Sequence, residues 1–250
     1  MSEKPVLLFV HGAWHPPKCY DAIKTALTNL GYECVIPKLP SVGSESHGVT
    51  WEADKAKIIE TAEPFFNQGR EVVLIAHSYG GIPRDCRDAR SGNGRACETR
   101  LEWWIPLDYF LSCICYPGQG LGSHHDFWWG LSSMVAGWRE NQITRMAEGA
   151  RESVYSGCTE EAIDKALEST EPHSQDAFET SLDFIAADIT IPKTYIICEN
   201  DQLILLPLQE KLVESTPGMR SARLAAGHSP FVEKTEETAE LIVKIIEEEV

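Results

Sequence analysis

Apolar residues fall along this chain in two alternating rhythms. Unbroken apolar runs at residues 5–10 and 72–75 read as strands, because a parallel strand with helices above and below has no solvent side. Between them, apolar positions recur at helical spacing: Tyr20, Ile23, Leu27 and Leu30, closed by Gly31, then Ala53, Ala56, Ile59 and Ala62, closed near Gly69. Residues 33–36 predict a short strand, and a loop rich in proline, glycine and serine runs over 37–49. This alternation predicts a mostly parallel sheet of about six strands, covered on both faces by helices.

Beyond residue 83 the pattern changes. Residues 84–100 are polar and rich in arginine, where the helix following the 72–75 strand is expected. Residues 107–116 predict the next strand, and 117–130 a loop of glycine, histidine and tryptophan. Residues 137–154, 159–167 and 174–187 predict helices with no strand between them. A helical insertion between two sheet strands has the form of a lid, here over about 117–187, with Trp128, Trp129, Trp138 and Phe178 as candidate apolar wall. Strand pattern resumes at 193–198 and again at 221–225, with a helix marked by Leu208 and Leu212 between them. A final helix starts at Thr235, with Leu241, Ile242, Ile245 and Ile246 facing inward. The expected organisation is one domain over residues 1–250.

Composition narrows the function classes. With 43% hydrophobic and 24% charged residues, the 250-residue chain has the makings of a folded core. No apolar run approaches about 20 residues, so no membrane span is expected. The opening Met1-Ser2-Glu3-Lys4 leads straight into a strand without a signal-peptide pattern, which predicts a cytoplasmic location. A net charge of −16 argues against nucleic acid as a partner, because phosphates need clusters of Lys and Arg. The eight cysteines are scattered without a CxxC pair, so free thiols are expected and neither a metal nor a cofactor is implied. The expected partner is a small-molecule substrate, with the chain a monomer or a homodimer.

The 72–75 run ends in Ala76-His77-Ser78-Tyr79-Gly80-Gly81, a serine with small residues two positions either side. A nucleophile on a sharp strand-to-helix turn requires that spacing, since bulky neighbours would strike adjoining elements. Asp201 and His228 stand at the ends of two later strands, 27 residues apart (228 − 201), room for one helix and one strand between them. The order serine, acid, histidine is that of a nucleophile, an orienting carboxylate and a base. His77, beside the serine, is a rival for the base, although a residue adjacent to the nucleophile normally points elsewhere.

With His11-Gly12-Ala13-Trp14, Ala76 to Gly81, Glu199-Asn200-Asp201 and Gly227-His228-Ser229-Pro230-Phe231, the chain resembles the α/β-hydrolase superfamily, and within it the small plant-esterase and hydroxynitrile-lyase-like members and their fungal relatives. The resemblance covers residues 4–83 and 174 to the C-terminus; residues 84–133 depart from it. It implies an α/β-hydrolase fold with a helical lid, and Ser78, His228 and Asp201 as a catalytic triad. It further implies the backbone N–H groups of Ala13 and Tyr79 as an oxyanion hole. Gly12, Trp14 and His15 are then expected beside the substrate. The leading expectation is a serine hydrolase for a small ester, lactone or thioester. The alternatives are a pocket-bearing binding protein of the same fold with little turnover, and a lyase that cleaves carbon–carbon bonds or decarboxylates.

Overall fold

The computed structural model describes residues 4–82, 103–107, 135–136, 142–180, 186, 189 and 191–248, with backbone alone for 103–107 and 135–136. Its elements in chain order are β1 (Val6–Val10), α1 (Asp21–Asn29), β2 (Cys34–Val35), α2 (Trp51–Asn67), β3 (Val72–His77), β4 (Trp103–Leu107), β5 (Val135–Ala136), β6 (Ile143–Met146), α3 (Glu160–Leu167), β7 (His173–Ser174), β8 (Lys193–Cys198), α4 (Leu206–Ser215), β9 (Met219–Leu224) and α5 (Thr235–Glu247). Shorter helical turns cover Ser78–Gly81, Arg151–Val154, Asp176–Glu179 and Pro230–Glu233. Helices α1 and α2 stop where Gly31 (φ 87°) and Gly69 (φ 73°) take left-handed backbone, which only glycine adopts without strain.

Six strands form one parallel sheet in the order β2-β1-β3-β4-β8-β9. Side chains of β1 and β3 alternate between its two faces, as a two-residue repeat dictates. Leu7, Phe9, Val73 and Ile75 pack with Tyr20, Ile23 and Leu27, reaching Ala239, Ile242 and Ile246 of α5. Val6, Leu8, Val10, Val72, Leu74 and Ala76 pack on the opposite side with Trp51, Ile58 and Ala62 of α2. Burying an aliphatic side chain of this kind is worth about 1.5–3 kcal/mol, so this double-faced burial is what makes the centre of the sheet a rigid base for the site.

The register brings the strand ends together. Val10 pairs with Ala76, Ala76 with Pro106, Leu107 with Ile196 and Cys198 with Leu224, so the carboxyl ends of β1, β3, β4, β8 and β9 lie along one edge. That edge is where ligands bind in open α/β sheets.

Three expectations are corrected. The strand seen beside β3 covers Trp103–Leu107, earlier than the expected 107–116, of which all but Leu107 lies outside the described residues. Tryptophan is a good strand former, and a long apolar run has no internal mark of where pairing begins. In the described part of the expected 137–154 helix, strand β6 comes first and helical turns cover only Glu148–Ala150 and Arg151–Val154; in that of the 174–187 helix, β7 ends at Ser174 and one turn covers Asp176–Glu179. Strands β5, β6 and β7 make an antiparallel sheet inside the insertion, so the insertion is mixed and not purely helical. Finally, α2 buries Trp51, Asp54, Ile58 and Ala62; Ala56 is exposed and Ala53 and Ile59 are only half-buried. The helix after Ser78, the 117–130 loop, and Trp128, Trp129 and Trp138 lie outside the described residues.

Among the described residues no helix is long and apolar enough to cross a membrane. Among the described residues Cys19, Cys34, Cys158 and Cys198 form no disulfide, and burial pushes the Cys19 thiol up to about 12. No group of three or more metal-ligating side chains occurs among the described residues.

Candidate active site

Strand β3 delivers Ser78 at its end with φ 51°, a conformation that costs a residue with a side chain of order 1 kcal/mol or more. The turn holds because of what surrounds it. A Cβ on Gly80 would overlap the Val10 carbonyl oxygen, so the elbow can press against β1 only with glycine there. Gly227 plays the same part in the His228 loop, where a Cβ would overlap the Ser156 carbonyl.

The three expected residues meet. His228 Nε2 lies 3.3 Å from Ser78 Oγ, and His228 Nδ1 lies 3.0 Å from Asp201 Oδ2. Ser78, Asp201 and His228 are all buried. Asp201 divides its oxygens: Oδ2 faces the histidine, while Oδ1 accepts the Leu203 and Ile204 N–H groups at 2.7 and 2.8 Å. A carboxylate so held accepts from Nδ1–H and leaves Nε2 as the free lone pair beside the serine.

The loop after β1 is pinned peptide by peptide. The Gly12 N–H donates to the Tyr20 hydroxyl at 2.9 Å. The Gly12 carbonyl accepts from His11 Nδ1 at 3.1 Å and from the His15 N–H at 3.3 Å. In a trans peptide the carbonyl and the next N–H point opposite ways, so tethering the Gly12 oxygen aims the Ala13 N–H in the other direction. His15 Nδ1 donates to the Ala13 carbonyl, and His15 Nε2 accepts the Tyr155 hydroxyl at 2.8 Å. Both ring nitrogens of His15 are therefore committed inside the protein.

Trp14 sits at φ 61° and is buried. Its carbonyl accepts the Glu171 N–H at 2.9 Å, its Nε1 donates to Thr144 Oγ1 at 3.3 Å, and its ring lies 6.1 Å from Phe178. Trp14 thus fastens the loop to the insertion. His77 points away from Ser78, with Nδ1 2.6 Å from the Tyr20 hydroxyl and Nε2 3.1 Å from the His228 carbonyl, which removes it as the base.

Burial keeps four further histidines, His11, His15, His77 and His173, neutral. His11 and His15 are lowered to about 4, and His77 and His173 fall well below the ordinary value, with burial the main cause and neighbouring histidines adding to it. His173 has no hydrogen-bond partner at either nitrogen among the described residues; its ring stands edge-on to Tyr79 at 4.4 Å.

Three positions that brace the candidate site escaped the sequence reading. Tyr20 counted only as a helix-face residue. Asp54, on the buried face of α2, accepts the Ser41 N–H at 2.9 Å, the Ser41 hydroxyl at 2.6 Å and the Tyr79 hydroxyl at 2.5 Å. Burial raises its carboxyl to about 6 despite those three donors. Gln209 accepts the Cys198 N–H and donates to the Cys198 and Ile204 carbonyls, stitching together both ends of the loop that carries Asp201. A helical period one residue out of step on α2 was the available signal for Asp54; a buried glutamine on α4 had none.

The pattern of the alpha/beta hydrolase family matches residues 7–241. An alpha/beta hydrolase of Aspergillus novofumigatus, nvfD, is 28% identical over 97% of this chain and 95% of its own. Among solved structures, an Arabidopsis methylesterase, MES16, superposes with a TM-score of 0.72 at 19% identity, covering 98% of this chain and 99% of that one. Tomato methylketone synthase I, solved with 2-tridecanone, superposes with a TM-score of 0.74 at 14% identity, covering 99% of each. With its parallel sheet, its elbow serine and a family pattern that runs almost its whole length, this chain belongs to the alpha/beta hydrolase family.

Proposed function

We propose that the protein is a serine hydrolase that cleaves a small ester, lactone or thioester through an acyl-enzyme. The observation that carries this reading is the unbroken line from Ser78 Oγ through His228 to Asp201, with the serine on a strained elbow at the edge where the strand ends meet. His228 Nε2 takes the Ser78 proton as Oγ attacks the substrate carbonyl, and Asp201 stabilises the imidazolium that results. The negative charge passes to the carbonyl oxygen, where the Ala13 and Tyr79 N–H groups receive it. The Ala13 N–H donates to no other group among the described residues, which suits it to that task. One such donor is worth about 3 kcal/mol in the transition state. His228 then gives its proton to the leaving alcohol or thiol. A water molecule, deprotonated by the same imidazole, hydrolyses the acyl-Ser78 ester and restores the serine.

Gly12, Trp14 and His15 hold the oxyanion loop in place from behind in this reading. The insertion at about 117–187 covers the site and sets substrate choice, with β7 as its foot. Ser174 N–H donates to the Ser41 carbonyl at 2.8 Å and Gly43 N–H to the Pro172 carbonyl at 2.8 Å, tying that foot to the loop before α2. A fluorophosphonate probe tests the nucleophile. Covalent labelling of the purified protein, mapped by mass spectrometry to Ser78, is the expected result. No label at high probe concentration would favour the binding-protein alternative.

A further inference from the structure

Tyr20 and His77 belong neither to the triad nor to the oxyanion donors, yet they bond to the loop after β1 and to the backbone of His228, beside Ser78. The Tyr20 hydroxyl receives the Gly12 N–H at 2.9 Å and meets His77 Nδ1 at 2.6 Å. His77 Nε2 meets the His228 carbonyl at 3.1 Å. A carbonyl oxygen only accepts, so Nε2 carries the ring proton of the neutral imidazole and Nδ1 offers a lone pair. Tyr20 must then donate its single proton to Nδ1 while its oxygen accepts from Gly12. Each proton in the chain is assigned by elimination.

The chain is also tightly packed. Tyr20 and His77 are buried, the Tyr20 ring stacks on Phe231 at 4.3 Å, and His77 meets Phe231 at 4.8 Å. A Cβ on Gly12 would lie 2.7 Å from His77 Nδ1, so the loop and the imidazole touch with no space between them. Burial and the neighbouring histidines His228, His15 and His11 hold His77 neutral, which keeps this single tautomer.

We infer that the Tyr20–His77 pair is a positioning clamp, which holds the oxyanion loop at Gly12-Ala13 and the backbone of His228 in fixed register with Ser78. The inference rests on the hydrolase reading above. His77 is the residue before Ser78, so the clamp fastens three parts of the machinery, from β1, β3 and the loop after β9, at one point. Catalytic groups displaced by about 1 Å lose orders of magnitude in rate while ground-state binding is little affected. The clamp therefore acts on kcat and on transition-state binding.

Tyr20→Phe keeps the stacked ring but leaves the Gly12 N–H and His77 Nδ1 without a partner. The expected result is a fall in kcat of ten-fold or more on an activated short-chain ester, with KM within about twofold of wild type. Affinity for a boronic acid, which adds to Ser78 as a tetrahedral mimic, should fall by the same factor as kcat/KM. Thr216→Val, which removes a buried hydroxyl bonded to the Leu212 carbonyl in α4, should lower thermal stability with kcat unchanged. A folded Tyr20→Phe with kcat/KM within twofold of wild type, or with a raised KM at constant kcat, would overturn the clamp. Nitrogen-15 histidine spectra of the wild-type protein give a second test, independent of how any variant folds. The His77 ring should be neutral and protonated at Nε2 from about pH 5.5 to 8, and an Nδ1–H tautomer or a charged ring there would refute the assignment. If Ser78→Ala retained wild-type activity, the hydrolase reading itself would fail, an outcome distinct from all of these.

Discussion

Asp201 uses its two carboxylate oxygens for different partners, and that division predicts what its amide would do. In Asp201→Asn the carbonyl oxygen still accepts the Leu203 and Ile204 N–H groups, which leaves the NH2 facing His228 Nδ1. An NH2 donates, so Nδ1 must become the acceptor, and the ring proton moves to Nε2, the atom that should receive the serine proton. The expected loss in kcat is on the order of 1,000-fold or more, with a melting temperature close to wild type. Near-wild-type activity would mean that another group orients the base. His173 makes the opposite prediction. Among the described residues its nitrogens have no partner, in a fully buried ring packed among Tyr79, Phe178 and Trp14. A buried polar atom left unsatisfied costs roughly 1–3 kcal/mol, so His173→Phe should raise the urea midpoint of unfolding. A lower midpoint would show that the imidazole fits its site better than its missing partners suggest.

Among the elements, α2 carries the least expected feature, a carboxylate on its buried face. Asp54 joins three segments, receiving Ser41 from the loop before α2 and Tyr79 from the elbow. Burial raises its carboxyl from an ordinary 3.8 to about 6. Between those values the folded chain keeps a proton that the unfolded chain has released, so stability falls as pH rises through about 4 to 6. Asp54→Asn has no such titration. Its stability relative to wild type should improve on going from pH 4.5 to 7.5, by roughly 1–3 kcal/mol, read from urea midpoints at the two values. A gap that stayed constant, or moved in favour of wild type, would contradict the burial argument. The same helix shows why some elements were legible in the sequence and others were not. Strands β1 and β3 are covered on both faces and advertise themselves as apolar runs. The inner face of α2 mixes Trp51, Asp54, Ile58 and Ala62, and a hydrophobic count passes over the aspartate. In β6, only Thr144 is buried in four residues, and its pairing with His173 lies 29 positions away, where no local period records it.

For the molecule as a whole, the parallel register makes the candidate site legible. Once β1, β3, β8 and β9 are recognised, their carboxyl ends must share an edge, and Ser78, Asp201 and His228 were found from that placement. The pinning of the loop after β1 was not legible, because Tyr20, His11, His15 and Tyr155 act through contacts between distant segments. The insertion was read least well, its small sheet being built from strands of two to four residues. The central claim, that Ser78 and His228 act as one unit, is tested most directly by turnover of an activated short-chain ester by Ser78→Ala, His228→Ala and the double variant. Circular dichroism serves as the folding control. A serine without its base is a poor nucleophile and a base without its nucleophile has nothing to activate, so their losses should not add. The account predicts that each single variant loses nearly all activity and that the double variant is scarcely worse than either. A folded Ser78→Ala that kept most of the wild-type rate, or losses that multiplied in the double variant, would contradict it.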